Sequence, residues 1–180
     1  MSRMLERILA LHGKKVLRKS ALNIRGGAGV FERVMRGRAI RTAVEIGTYR
    51  GVSAAEMSQF CERVVTIDLK RGKLELLGEK FDRRAFWNSL GVHNIELQLV
   101  SDNDEKRRLL NALDFDFAFI DGAHDPSVAD DFDMVKKCGR VLFHDYDSRG
   151  RPELDYVFDF VNTLQPARVE VLDIFALWTA

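Results

Sequence analysis

Two hydrophobic periods follow one another along the chain. From Met4 the apolar positions Met4, Leu5, Ile8, Leu9, Val16 and Leu17 keep helical spacing, which predicts a helix over about 2–19 with a basic outer face. Gly26, Gly27 and Gly29 in "IRGGAGVFERVMRGR" break that pattern, and a short second helix is expected from about Val30 to Met35, ahead of Gly37. No strand precedes these glycines, so they do not read as a phosphate cradle. After residue 40 the period shortens. "TAVEIG", "RVVTIDL", "NIELQLVS", "FDFAFID", "RVLFHDY", "ARVEVLD" and "IFALWTA" are short runs rich in Val, Ile and Phe, as strands are. Segments at about 51–61, 80–90, 104–112 and 126–137 separate the first five runs and suit helices, and another, about 152–164, lies between the fifth and sixth.

Strands and helices in alternation imply right-handed crossovers and a mostly parallel sheet covered on both faces, an α/β three-layer sandwich. The last two runs are separated by only a turn, so they form a hairpin that adds an antiparallel strand. At 180 residues a single core suffices. The aromatic residues Trp87, Trp178, Phe160 and Tyr156 lie in apolar elements and are expected in that core.

Composition adds exclusions. With 46% hydrophobic and 31% charged residues and three prolines, the chain is that of an ordinary soluble globular protein. Cys61 and Cys138 are too few and too far apart for a disulfide framework and show no zinc spacing, so free thiols are expected. The sequence shows neither a spanning apolar run of about 18 residues nor an apolar leader region, which points to the cytoplasm without membrane insertion. Oligomeric state is open, a homodimer being one option.

Charge is distributed unevenly. The net charge is +1, yet residues 1–41 carry +9 and the remainder −8. Residues 1–39 therefore read as a basic helical arm or lid on a domain of residues 40–180. Such an arm suits nucleic acid, an anionic substrate or lipid headgroups, or simply lies against its own acidic body. Phe31 is the one Phe, Tyr or Trp within it, which argues against base stacking.

The chemistry-bearing residues gather at strand ends. The first strand ends in "EIGTYRG", where Gly47 and Gly51 bracket a tight turn holding Thr48 and Tyr49, and Glu45 precedes it. Turns need glycine whatever they bind, but Asp68 closes the next strand, where a carboxylate accepts both hydroxyls of a ribose. Together they point to a nucleoside-containing cofactor. After the third strand, in "LVSDND", Asp102 suits the cap of the helix that follows. In "FIDGAHDP", Asp125 and Pro126 suit a helix start as N-cap and first helical residue, which leaves Asp121 and His124. The fifth strand ends in "FHDYD" with His144, Asp145 and Asp147. Asp121 and Asp145, as neighbours at one edge, repel unless one is protonated or a cation sits between them. Mg²⁺ or Mn²⁺ suits such oxygens and gathers a substrate hydroxyl, and histidine supplies a base.

These motifs resemble those of class I S-adenosylmethionine-dependent methyltransferases. "FIDGAHD" with "VLFHDY" resembles the type 24 methyltransferase domain and is similar to metal-dependent sugar O-methyltransferases. The resemblance covers about residues 40–180. It implies a Rossmann-like seven-stranded sheet of order 3-2-1-4-5-7-6. It also implies a cofactor site at Glu45, Gly47, Thr48, Tyr49, Gly51, Asp68, Ser101, Asp102 and Asp121, a metal site at Asp121 and Asp145, and His124 as base. Two positions depart from the relatives: His144 stands where some have the first of an acidic pair, and "KKCGR" keeps only Gly139 of a glycine-rich turn. The implied function is O-methylation of a small hydroxylated acceptor with S-adenosylmethionine, Mg²⁺ or another divalent cation assisting. The alternatives are methylation of RNA or another nucleic acid through the arm, and a non-catalytic cofactor-binding or interaction module.

Overall fold

Side-chain alternation along the strands sorts the apolar residues into two layers, and the helices follow. In the computed structural model, which describes residues 2–17, 29–123, 125–147 and 155–180, the strands are β1 (Thr42–Ile46), β2 (Arg63–Leu69), β3 (Ile95–Val100), β4 (Phe117–Ile120), β5 (Arg140–Phe143), β6 (Val169–Leu172) and β7 (Phe175–Thr179). They form one seven-stranded sheet of order β3-β2-β1-β4-β5-β7-β6. Pairing is parallel except that β7 runs antiparallel to β5 and β6. This is the Rossmann-like order expected from the sequence. The β6–β7 hairpin turns at Asp173, whose φ is 60°.

One face of the sheet carries α1 (Arg3–His12), α2 (Val30–Met35), α3 (Val52–Met57) and α5 (Arg83–Ser89). Ile8, Phe31, Met35, Met57 and Trp87 pack there over Phe117, Phe119 and Leu142. The other face carries α6 (Asn103–Asn111), α7 (Ser127–Val135) and α8 (Asp155–Thr163), with Leu110, Phe132, Val135 and Val161 over Ile46, Ile67, Ile120 and Phe143. Odd and even positions of β4 thus serve different cores, as a strand period of two requires.

The basic arm contributes to the first core. Phe31 is fully buried and meets Phe119 edge to face at a centroid distance of 5.0 Å. Truncating a phenylalanine so placed costs about 3–5 kcal/mol. The helix expected over 2–19 is shorter. The Ser2 hydroxyl caps α1 by accepting the Leu5 N–H, and Gly13, at φ 67°, ends it, the chain continuing as a 3-10 turn over Lys14–Leu17. With ψ at 179°, Gly13 sits in a positive-φ, extended region open essentially to glycine alone, which turns the chain out of the helix. Gly26 and Gly27, like 152–154 at the start of the last expected helix, lie outside the described residues.

Other boundaries moved by a few residues. The helix expected at 51–61 is only Val52–Met57, and a short α4 (Lys73–Leu76) precedes α5. Trp87 and Trp178 are buried and Phe160 half-buried, but Tyr156 is 49% exposed. The buried stripe of α8 is Val157 and Val161, which turns position 156 to solvent. Cys61 and Cys138 are free thiols, and burial pushes the pKa of both upward. Among the described residues no helix is long and apolar enough to cross a membrane.

Candidate active site

The β1–α3 turn is built on a buried polar network. Glu45 is fully enclosed, and its carboxyl accepts the hydroxyls of Ser53 on α3 and Thr66 on β2. The Thr48 and Thr66 hydroxyls are 2.6 Å apart. Burial pushes the Glu45 pKa up to about 8, helped by the charges of Asp121 and Asp68 and opposed by the two hydroxyl bonds. Glu45 and Thr48 therefore stand behind the turn. Tyr49 adopts φ 44°, a conformation unfavourable for a bulky residue, and its hydroxyl donates to Glu79. Arg50 pairs with Glu79 at 2.8 Å and donates to the Lys15 carbonyl, which ties the turn to the arm.

The two glycines of the turn have different reasons. At Gly47, φ is 94° and a Cβ would lie 2.2 Å from the Asp121 carbonyl oxygen, so the β1 and β4 ends pack backbone to backbone. At Gly51, φ is 72° and a Cβ would lie 2.4 Å from the Trp87 ring, whose Nε1 donates to the Gly51 carbonyl. Core packing thus accounts for Gly51 by itself.

A cavity of about 660 Å³ opens at the carboxyl ends of β1, β2, β3 and β4. Its volume suits a ligand of cofactor size. Gly47, Tyr49, Asp68 and Asp121 line it, four of the residues expected from the sequence. Asp68 receives the Arg83 guanidinium at 2.6 Å and the Leu69 N–H at 3.0 Å. At the β3 end Asn103 lines the cavity; Asp102 caps α6, accepting the Glu105 N–H at 2.8 Å, and the Ser101 hydroxyl accepts from Lys70 at 2.9 Å. The floor holds a buried ion pair that the sequence does not announce, Lys106 of α6 with Asp131 of α7. Desolvation raises the Asp131 pKa against the pull of Lys106.

At the adjoining ends of β4 and β5 the ladder continues beyond the strands, the His144 N–H donating to the Ile120 carbonyl at 3.0 Å. Asp145, at φ 56°, turns its side chain back beside His144, a left-handed conformation that aspartate tolerates better than most residues. Asp121, His144 and Asp145 consequently converge, with one donor atom from each within 4.8 Å of the others. His144 Nδ1 lies 2.9 Å from Asp121 Oδ1 and 3.1 Å from Asp145 Oδ2, so the protonated imidazole pairs with both carboxylates. Burial pushes the His144 pKa down, but the two carboxylates outweigh it and raise it to about 10. The donor types and spacing fit a small divalent cation.

His124 lies outside the described residues. Asp125 accepts the Ser127 N–H at 2.8 Å, and α7 begins at Ser127, so Pro126 precedes the first helical residue instead of occupying it.

Several solved structures share this fold. An O-methyltransferase of tomaymycin synthesis from Streptomyces achromogenes, solved with S-adenosylmethionine, is 18% identical with a TM-score of 0.67, covering 100% of this chain and 90% of that one. A putative caffeoyl-CoA O-methyltransferase from Staphylococcus aureus is 17% identical with a TM-score of 0.68, covering 98% and 100%. An O-methyltransferase from Bacillus cereus, solved with S-adenosylhomocysteine, is 15% identical with a TM-score of 0.66, covering 100% and 91%. No curated protein matches the sequence. Residues 44–146, which run from β1 through the Asp121–His144–Asp145 cluster, match the methyltransferase domain of type 24. The chain belongs to that methyltransferase family, within the class I S-adenosylmethionine-dependent fold.

Proposed function

We propose that the chain methylates an oxygen of a small hydroxylated acceptor, with S-adenosylmethionine as donor and a divalent cation at Asp121 and Asp145. The observation that carries this reading is the position of Asp121, which lines the cavity and also stands in the cluster with Asp145. The donor half and the acceptor half of a transfer reaction adjoin at that carboxylate.

In this reading the turn at Gly47, Thr48 and Tyr49, braced by Glu45, borders the amino-acid part of the donor. Asp68 holds the ribose, and the β3 end with Ser101, Asp102 and Asn103 borders the base. Gly51 shapes the turn from behind. The sulfonium of the bound donor supplies an electrophilic methyl, so the protein's task is alignment and proton removal. A divalent cation supplies Lewis acidity that favours the alkoxide of the acceptor. His124, three residues after Asp121, is the proposed proton acceptor. The basic arm, joined to the turn through Arg50 and Lys15, is proposed to border the acceptor. The similar structures named as O-methyltransferases support oxygen as the accepting atom.

Calorimetry with S-adenosylhomocysteine, followed by labelled methyl transfer to catechols and sugars with and without chelator, tests the reading. A dissociation constant of about 1–100 μM and chelator-sensitive transfer are expected. Absence of cofactor binding overturns it.

A further inference from the structure

We infer that Lys106 and Asp131 act together as a purine selector: the Lys106 ammonium as donor and Asp131 Oδ2 as acceptor favour a base with a 6-amino group over one with a 6-oxo group. The inference rests on the proposed use of S-adenosylmethionine and specifies which residues set the nucleoside that the site takes.

Both residues line the cavity, although Lys106 is only 7% exposed and Asp131 2%. Stability does not account for such a pair, because apolar side chains of similar volume serve a buried position at least as well as two desolvated charges. Position does. Strand order puts β2, with Asp68, between β1 and β3. A nucleoside whose ribose meets Asp68 and whose amino-acid part meets the β1 turn therefore extends its base toward the β3 end. Asn103 and Lys106 stand three residues apart on α6, which starts just beyond β3, and both line the cavity there with Leu69 and Val100. Asp131 reaches in from α7, and its Oδ2 lies 3.5 Å from where a Cβ on Gly122, another lining residue, would stand.

The remaining hydrogen-bonding capacity has the right polarity. Asp131 Oδ1 accepts one N–H of Lys106, whose ammonium carries three. Among the described residues no hydrogen bond takes up Asp131 Oδ2. A donor and an acceptor side by side present what the amide of Asn or Gln presents to adenine, whose edge sets the N6 amino donor beside a ring-nitrogen acceptor. A 6-oxo purine instead opposes two acceptor oxygens at Asp131, and a buried acceptor left without a donor is penalised.

The test titrates the native chain, Asp131→Asn and Lys106→Met/Asp131→Leu with S-adenosylhomocysteine and S-inosylhomocysteine by calorimetry. The native chain is expected to prefer the adenosyl compound by about 30-fold or more, and both variants to lower that ratio by about tenfold or more. Asp131→Asn keeps the volume and the double variant leaves no charge unpaired, so the outcome does not hang on one variant folding. A native ratio near one overturns the inference. So does a ratio that stays constant in the variants while both compounds weaken together, which would make the pair a tie between α6 and α7 alone. In either case retained S-adenosylhomocysteine binding leaves the function proposed above standing. A native chain that binds neither compound removes both.

Discussion

The guanidinium of Arg83 lies 2.6 Å from the carboxylate of Asp68, and the two side chains are only 6% and 10% exposed. Arg83 also donates to the Tyr49 carbonyl, so one side chain holds the proposed ribose carboxylate and the β1 turn together. Replacing Arg83 by Met removes the cation beside a nearly enclosed anion. A loss of about 3 kcal/mol in urea unfolding is expected. The dissociation constant for S-adenosylhomocysteine is expected to rise about tenfold, and calorimetry checks it.

Glu45 makes stability depend on pH. Its pKa is raised from 4.5 to about 8. Below pH 4.5 folded and unfolded chains both hold the proton, and between 4.5 and about 8 only the folded chain does. The stability it contributes is full below that window and is lost as pH rises through it, by at most about 1.4 kcal/mol per pH unit. Glu45→Gln removes this slope. Its stability relative to the native chain is therefore expected to improve steadily between pH 5.5 and 7.5, as measured by denaturant unfolding; parallel curves contradict the assignment.

Gly47 and Gly51 separate packing from binding. Alanine at either is expected to cost about 2–4 kcal/mol, because the left-handed backbone and a close contact both oppose it. Gly47→Ala presses on the Asp121 backbone and is expected to weaken S-adenosylhomocysteine at least about tenfold. Gly51→Ala presses on Trp87, outside the cavity, and the affinity of its folded fraction is expected to stay within about threefold.

Lys106 and Asp131 form a buried pair whose halves depend on each other. Lys106→Met alone is expected to destabilise by about 3–5 kcal/mol, and adding Asp131→Leu to recover most of that loss. A double-mutant cycle by urea unfolding measures the coupling. Two independent, additive losses would show that the pair does not act as a unit.

The sheet order was legible because strand period, helix spacing and a turn-length final connection each constrain topology locally. The edge positions of Asp68, Asp121 and Asp145 followed from that topology. What stayed hidden depends on helix rotation and backbone sign. Arg83 reaches Asp68 only because α5 starts where it does, and Lys106 meets Asp131 only through the facing of α6 and α7. Asp145 joins Asp121 because its φ is positive, which nothing in "FHDYD" announces. His144, visible in the sequence only as a departure from an acidic pair, lies between the two carboxylates. Gly51, read as a cofactor neighbour, packs under an indole 36 residues away.

Because Asp121 faces both the cavity and the cluster, selection acting on it is doubly bound under the proposed function: a change that retunes the proposed acceptor side also disturbs the proposed donor side. His144 and Asp145 carry no such double obligation, since neither lines the cavity. Diversification of acceptor or metal preference in related chains is therefore expected to run through the β5 end, with the carboxylate after β4 held constant.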